Sequence, residues 1–367
     1  MKKILSVFVL LFISLLLFSC GTIDSIKCAG KEKLKIYNWG EYIDEDIIES
    51  FEEETNSCVS YVTFSSNEMA MTMMEDESYD VVVPSDYAIE QLVKEDKLQE
   101  LDWNKILVNG EEFDTNNFSK PLLQMLEQLK NDENNPYDYL SHAVPYFFGS
   151  VGIVYNSSIA GIEDDLNDLQ WDIFKETSKY DVAYYDSSRD GFIPAFVENN
   201  LSINPSSKED IDTAKTWFTD LNDVPYLTDE LLDDMPNKKY DLAMMYSGDA
   251  VYVMMEDLDQ ELKFFKPEKS NIWIDGLVIP KNAKNTELAY KFISYLLNEE
   301  IAKQNTLYVG YSSVIDSVYN EMLENDYKDY KSAYEVKVTS NDEIFRYLSS
   351  EIKTYIDKEW TNIKTNK

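Results

Sequence analysis

The sequence predicts an α/β fold in two lobes. Its 367 residues exceed what one hydrophobic core usually serves, and a hydrophobic content of 44% is enough for two cores. Strand-like and helix-like segments alternate from Leu34 onward, and this order is typical of parallel sheets flanked by helices.

The first half of the chain has a strand, helix, strand, helix, strand pattern. The apolar runs "LKIYNW", "CVSYVTF" and "YDVVVPS" are typical of strands. Between them, "DEDIIESFEEET" and "NEMAMTMMEDE" carry apolar residues at helical spacing, so we expect helices there and assign the methionines to core packing. Ligands of open parallel sheets bind beyond the carboxyl ends of the strands, and Trp39 and Ser85 lie just past two such ends.

The second half continues this alternation. "YDVAYYDSSRD" and "YDLAMMYSGDA" each run from an apolar strand into a turn with acids and hydroxyls, as expected at the strand ends of a second lobe. Farther on, "IWIDGLVIPKNAKN" contains another apolar run. The stretch "TELAYKFISYLLNEEIAKQ" is predicted to form one amphipathic helix that returns the chain to the first lobe.

The N-terminus predicts export. Two lysines precede an apolar run at residues 4–18, as in a signal peptide covering residues 1–19. The ending "LLFSC" resembles a bacterial lipobox, so Cys20 is expected to be lipidated and residues 20–32 to form a tether. The alternative is an ordinary signal peptide with a chance cysteine. Either way, we expect a protein that works outside the cytoplasm, in the periplasm or at the cell surface, anchored to the membrane if Cys20 carries lipid.

The few cysteines and the single histidine limit which disulfides, catalytic triads and metal sites this chain can form. Cys28 and Cys58 can form a bridge in an exported protein, but Cys28 falls in the predicted tether, so the free thiols are favoured. His142 is the only histidine, so a multi-histidine zinc site lacks its ligands. A histidine-based triad would depend on this one residue, and no serine elbow or cysteine nucleophile accompanies it. We expect no cofactor and no metal.

The formal net charge of −36 argues against nucleic acid as a partner, because phosphates need Lys and Arg. It suits cationic partners. The alternative is that the acids only keep the surface soluble, so charge alone names no ligand.

Six stretches identify a family resemblance. They are "YNWGEYI", "YDVVVPSDY", "MMYSGDA", "WIDGLVIPKNAKN", "AYKFISYLLNEEIAKQ" and "VGYSS", and in this order the chain resembles the periplasmic polyamine-binding proteins, the spermidine or putrescine receptors of ABC importers. The resemblance implies a two-lobed, type II periplasmic-binding-protein-like fold that traps ligand between lobe 1 (33–150 and 276–328) and lobe 2 (151–275 and 329–367). It also implies importer permease subunits as partners, no enzymatic activity, and a monomer.

The chemistry of a polyamine explains why rings and acids occur together. Each ammonium group removed from water needs a carboxylate, while aromatic faces pack the methylenes and attract the adjacent cation. By resemblance, the cleft would be lined by the rings of Trp39, Tyr42, Tyr87, Tyr246, Trp273 and Tyr311, the acids Glu41, Asp190, Asp249 and Asp275, and the hydroxyls of Ser85 and Ser187. Arg189 is expected to hold the acids in position rather than to meet a cationic ligand.

Each candidate has a structural alternative. The rings of Trp39 and Trp273 are also compatible with core packing, and Glu41 and Asp249 with helix caps. Asp275 is the firmest acid, since the "WID" triplet places it next to a ring where an unpaired carboxylate would be costly.

Two other functions remain open at this point. A secreted carbohydrate-active enzyme or binding protein also pairs carboxylates with tryptophans, but no hydrolase motif singles out an acid pair. A surface adhesin lipoprotein is the second, although strand-end acids would have no purpose in it.

The sequence also indicates which polyamine is preferred. Spermidine-preferring members resemble "DDARE" where this chain has "DSSRD", so Ser187 replaces an acid, and they tend to carry Ser at the position of Asp249. Putrescine-binding members are similar to this chain at both places. We therefore expect putrescine to bind at least as tightly as spermidine.

Overall fold

The computed structural model describes residues 28–133, 135–221 and 224–365. Within these ranges the chain is a mixed α/β structure. Its strands are β1 (Glu32–Trp39), β2 (Ser57–Phe64), β3 (Val81–Val82), β4 (Leu107–Val108), β5 (Glu111–Glu112), β6 (Ala143–Asn156), β7 (Val182–Tyr185), β8 (Tyr226–Leu227), β9 (Leu242–Tyr246), β10 (Leu262–Phe265), β11 (Ile272–Val278) and β12 (Ser312–Ser313).

One sheet runs through the described part of the chain in the order β2-β1-β3-β11-β6-β9-β7-β8, with β10 and β12 also paired to β6. The outer strands are parallel, since β1 pairs in parallel with β2 and β3, and β7 with β8 and β9. The central strands β11 and β6 run antiparallel to their neighbours. β4 and β5 form a separate antiparallel pair.

Strand β6 joins the two groups of parallel strands. All 14 of its residues are buried. Its first part, up to Ser150, pairs with β11, and its second part, from Val151, pairs with β9 and β10. This course suits a chain of two lobes, and the lobe boundaries given above stay a prediction.

Helices cover the sheet. They are α1 (Glu45–Thr55), α2 (Asn67–Asp76), α3 (Asp86–Lys94), α4 (Lys120–Lys130), α5 (Ile162–Leu169), α6 (Ser188–Gly191), α7 (Ile193–Glu198), α8 (Lys208–Lys215), α9 (Glu230–Asp234), α10 (Ser247–Glu256), α11 (Thr286–Leu296), α12 (Glu299–Val309), α13 (Asp316–Glu324), α14 (Lys331–Tyr334) and α15 (Ser350–Thr365). Short 3-10 turns occur at Trp103–Lys105, Thr115–Asn117, Tyr139–Ser141, Gln170–Lys175, Thr216–Asp220 and Lys328–Tyr330.

Two of the predicted elements differ from the structure. The single helix predicted for "TELAYKFISYLLNEEIAKQ" is wrong, because Asn298 interrupts it and caps α12 by accepting a hydrogen bond from the Glu300 backbone N–H at 3.0 Å. The strand predicted in "YDVVVPS" is only two residues long, since Pro84 and Ser85 already lead into α3.

An aromatic core in the second half holds the C-terminal helix α15 against the end of β7. The indole Nε1 of Trp360 donates to Asp186 at 3.0 Å. A Cβ on Gly191 would lie 2.2 Å from the Trp360 ring, so only glycine permits this approach. The segment that follows β7, including Asp190, is thereby fixed in place.

Cys28 and Cys58 form a disulfide with their Cα atoms 5.4 Å apart, so the expectation of free thiols is wrong. The parallel register of β1 and β2 sets Lys33 opposite Cys58, and the turn before β1 therefore brings Cys28 to the start of β2. The predicted signal peptide and Cys20 lie outside the described residues. Among the helices described here, none is both long and apolar enough to cross a bilayer.

Candidate functional site

Asp275 lies on β11 and is 6% exposed. Its Oδ2 accepts a hydrogen bond from the Tyr42 hydroxyl at 2.9 Å, and Ser85 forms a β-bridge with it. Burial raises the pKa of Asp275 to about 6, and the nearby hydroxyls of Ser85 and Tyr42 oppose that shift. Its Oδ1 is buried and has no hydrogen-bond partner among the described residues.

Asp249 lies in the first turn of α10, directly after β9. The Tyr311 hydroxyl donates to its Oδ1 at 3.0 Å. Burial raises the pKa of Asp249 to about 6, and the bond from Tyr311 opposes that shift. Close packing holds this pair together, because a Cβ on Gly248 would lie 2.1 Å from the Tyr311 ring.

Asp190 follows β7, in the short helix α6. The Ser187 hydroxyl donates to its Oδ2 at 2.6 Å. Burial raises the pKa of Asp190, while the nearby hydroxyls of Ser187 and Tyr246 lower it. Its Oδ1 is a second buried carboxyl oxygen without a partner in the described part of the chain.

Aromatic rings connect these three acids. Trp273 lies between two tyrosines in edge-to-face contact, with ring centroids 4.9 Å from Tyr311 and 6.0 Å from Tyr246. Tyr311 also contacts Tyr42 at 5.8 Å, which links Asp249 to Asp275. We call Asp190, Asp249 and Asp275 with these four rings the acid–aromatic cluster.

Three predicted residues lie differently. Glu41 is exposed and accepts a hydrogen bond from the Tyr308 hydroxyl at 2.9 Å, away from the acid–aromatic cluster. Trp39 packs on Phe64 at 4.5 Å, and its indole Nε1 is buried without a partner among the described residues. The ring of Tyr87 is covered by the guanidinium of Arg189 at 4.8 Å.

Arg189 makes its side-chain hydrogen bonds to groups outside the acid–aromatic cluster. Its guanidinium donates to the Arg346 carbonyl and to the Asn204 side chain, each at 3.1 Å. Its charge still acts on Asp190, whose pKa it lowers.

A family model described as bacterial extracellular solute-binding protein matches residues 46–334. The chain belongs to this family. It is 30% identical over 286 residues to the spermidine/putrescine-binding periplasmic protein of Salmonella typhimurium, covering 76% of this chain and 77% of the relative. It is 29% identical over 366 residues to the putrescine-binding periplasmic protein SpuD of Pseudomonas aeruginosa, covering 93% and 94%.

The fold of this solute-binding protein is similar to that of the spermidine/putrescine ABC transporter substrate-binding protein PotD from Streptococcus pneumoniae. The TM-score is 0.74 at 28% identity, over 91% of this chain and 99% of that one. These findings confirm the resemblance to periplasmic polyamine-binding proteins and the predicted α/β solute-binding fold. The relatives are solute-binding proteins rather than enzymes.

Two residues that border the acid–aromatic cluster were not predicted from the sequence. Asp86 is 3% exposed, and its carboxyl oxygens accept from the backbone N–H groups of Tyr87 and Ile274 at 2.7 and 3.1 Å. Burial above all, and then the charge of Asp275, raise its pKa to about 8. Tyr185 packs against Tyr246 at 5.4 Å. The acid after Ser85 in "VPSDY" was the available signal for Asp86.

A separate cavity of about 590 Å³ lies between α4 and the segment 338–346. The predicted ligand residues are not among those that line it. Within the described ranges, no group of three or more His, Cys, Asp and Glu residues is arranged to hold a metal ion.

Proposed function

We propose that this solute-binding protein captures a linear polyamine between its lobes and delivers it unchanged to an ABC importer. The observation that carries the proposal is the acid–aromatic cluster, in which two buried carboxyl oxygens have no partner in the described part of the chain. Buried polar groups are almost always hydrogen-bonded, so these oxygens point to a donor that arrives with the ligand.

An alkyl diammonium ion fits both the acids and the rings of the acid–aromatic cluster. Each ammonium group supplies donors and a positive charge to a carboxylate, and the methylenes between them are apolar. The rings of Tyr42, Trp273 and Tyr311 offer faces and edges over the span between Asp275 and Asp249. Each ring face attracts a nearby cation by about 0.5 to 2 kcal/mol.

The relatives support this ligand class. The Salmonella protein is named for spermidine and putrescine, and the Pseudomonas protein for putrescine. Within the class, putrescine is expected to bind at least as tightly as spermidine, because Ser187 stands where spermidine-preferring members carry an acid and Asp249 stands where they carry serine. Replacing Asp249 by serine should accordingly weaken putrescine binding more than spermidine binding.

The protein is also proposed to be a monomer held at the membrane by lipid on Cys20. Lipid chains contribute about 0.8 kcal/mol per buried methylene, so a multiply acylated cysteine would keep the protein at a membrane. Expression in a bacterial host followed by fractionation tests this. The wild type should stay with the membranes and Cys20→Ala should not, whereas wild type in the soluble fraction would contradict lipidation.

A thermal-shift screen of the mature protein tests the ligand class. A polyamine at about 100 times its dissociation constant should add about 2.7 kcal/mol to the free energy of unfolding. The matched control is 1,4-butanediol, which has the length of putrescine without its charges and should give no shift. A shift with sugars but with no polyamine, or chemical conversion of the polyamine, would contradict the proposal.

A further inference from the structure

Four aspartates of the site lie in one buried region: Asp86, Asp190, Asp249 and Asp275. Asp86, Asp190 and Asp275 are 3%, 8% and 6% exposed, and Asp249 is half-buried. The unpaired oxygens of Asp190 and Asp275 point to a ligand in this region rather than to internal ion pairs.

The groups that face these carboxyls come from several elements. Around Asp86 lie the backbone N–H groups of Tyr87 and Ile274, Arg189, Asp275, Tyr137 and Tyr139. Around Asp190 lie Arg189, Ser187, Tyr87, Tyr185 and Tyr246. Around Asp249 lie Tyr311, Tyr185 and the exposed Asp229. Around Asp275 lie Ser85, Tyr42, Tyr139, Tyr146 and Tyr311. Arg189 is the cation among them.

The charges of these four aspartates and Arg189 do not balance if every carboxyl is ionised. Four carboxylates and one guanidinium give −4 + 1 = −3 in a buried site. Burial disfavours ionised carboxyls, and Asp86 also lies near the charge of Asp275, so part of this charge is expected to be cancelled by protons when no ligand is bound. The pKa values raised to about 8 for Asp86 and to about 6 for Asp249 and Asp275 agree with this balance.

We propose that protons on these four carboxyls replace the ammonium charges of the ligand in the free protein, and that polyamine binding releases them to solvent. In each release the carboxyl O–H bond breaks, the proton passes to buffer, and the carboxylate pairs with an ammonium that keeps all of its own protons. The inference rests on the proposed polyamine function.

The charge balance gives different proton counts for different ligands. A diamine adds +2 to the −3 of the four ionised aspartates and Arg189, so a net charge of −1 is left and one carboxyl keeps its proton. A triamine adds +3 and cancels the charge with no proton retained. Spermidine should therefore release about one proton more than putrescine wherever the free site holds at least one proton, and Asp86, whose pKa is raised to about 8, holds most of one at pH 7. Both ligands should release more protons at pH 6 than at pH 7, because Asp249 and Asp275, with pKa values raised to about 6, are then about half protonated.

Calorimetric titration of the mature protein in PIPES and in ACES, which differ in ionisation enthalpy, measures the number of protons released. The expected result is a difference of about one proton between spermidine and putrescine at both pH values. Asp86→Asn should lower the spermidine value at pH 7 by about one proton. The control Asp96→Asn removes an exposed acid and should leave every value unchanged.

The two proposals fail in different ways. Tight binding of both ligands with equal proton release, or with none at either pH, overturns the proton exchange and leaves polyamine capture standing. Binding of neither ligand overturns polyamine capture itself, and the proton exchange with it. The wild-type comparison needs no variant, so a poorly folded Asp86→Asn protein would not decide the outcome.

Discussion

Replacing Asp275 by asparagine is the sharpest mutational test of the site. The side chain keeps its shape and an oxygen that can accept from the Tyr42 hydroxyl, now at 2.9 Å, but it loses the charge. Truncating one partner of a buried charge pair costs about 2 to 5 kcal/mol of binding free energy. The dissociation constant for putrescine should therefore rise between about 30-fold and about 5,000-fold.

Stability should change in the opposite direction. Burial raises the pKa of Asp275 to about 6, so its ionised form destabilises the free protein at pH 7.5. A shift of roughly two units corresponds to at most about 3 kcal/mol, which Asp275→Asn would relieve in the unliganded protein. Urea unfolding without ligand should show equal or higher stability, while calorimetry shows the loss of affinity.

Asp80→Asn is the matched control. Asp80 is also buried, but its two oxygens accept from the backbone N–H groups of Lys35, Lys284 and Asn285, each at 2.8 Å. Losing part of this acceptor set should cost about 1 to 3 kcal/mol of stability and leave polyamine affinity unchanged. Wild-type affinity in Asp275→Asn, or an equal loss of affinity in Asp80→Asn, would refute the assignment of Asp275.

Three further predictions concern stability, pH and packing. Replacing Cys28 and Cys58 by serine removes a bridge across 30 residues, which should lower the free energy of unfolding by about 3 to 4 kcal/mol; an unchanged urea midpoint would contradict this. Two site carboxyls have pKa values raised to about 6, so they protonate as pH falls from 7.5 to 5. Over this range the free protein gains stability, because it binds more protons than the unfolded chain, and the putrescine-induced rise in Tm should shrink; a constant rise would count against ionised carboxylates in binding. Finally, Gly248→Ala places a Cβ 2.1 Å from the Tyr311 ring. The free energy of putrescine binding, measured by calorimetry, should fall by more than the free energy of unfolding, measured by thermal unfolding.

Much of the fold is readable from local patterns. The apolar run after Lys33 becomes β1, and the acids Glu45 and Asp46 open α1 behind the Asp44 cap, as the sequence indicates. The break between α11 and α12 is not readable in this way, because the apolar spacing continues across it and only the cap made by Asn298 ends the pattern.

The site is readable where residues follow strand ends, and less so where distant segments meet. Asp249 and Asp275 meet the rings that the resemblance implies. Glu41 has φ +51° and turns towards Tyr308, which a strand-end rule does not foresee. From the sequence, Asp86 resembles an ordinary first-turn acid. Its second partner, the Ile274 backbone N–H, is 188 residues away in sequence, so no local pattern indicates this contact.

Calorimetric titration of the mature wild-type protein with putrescine at low and high salt tests the central claim most directly. Capture by ionised carboxylates predicts one putrescine per chain, recovered chemically unchanged. Salt ions compete for and screen both partners, so affinity should fall as salt rises. A salt-independent isotherm, or no binding by a protein that melts cooperatively, would contradict the claim that these aspartates bind ammonium groups.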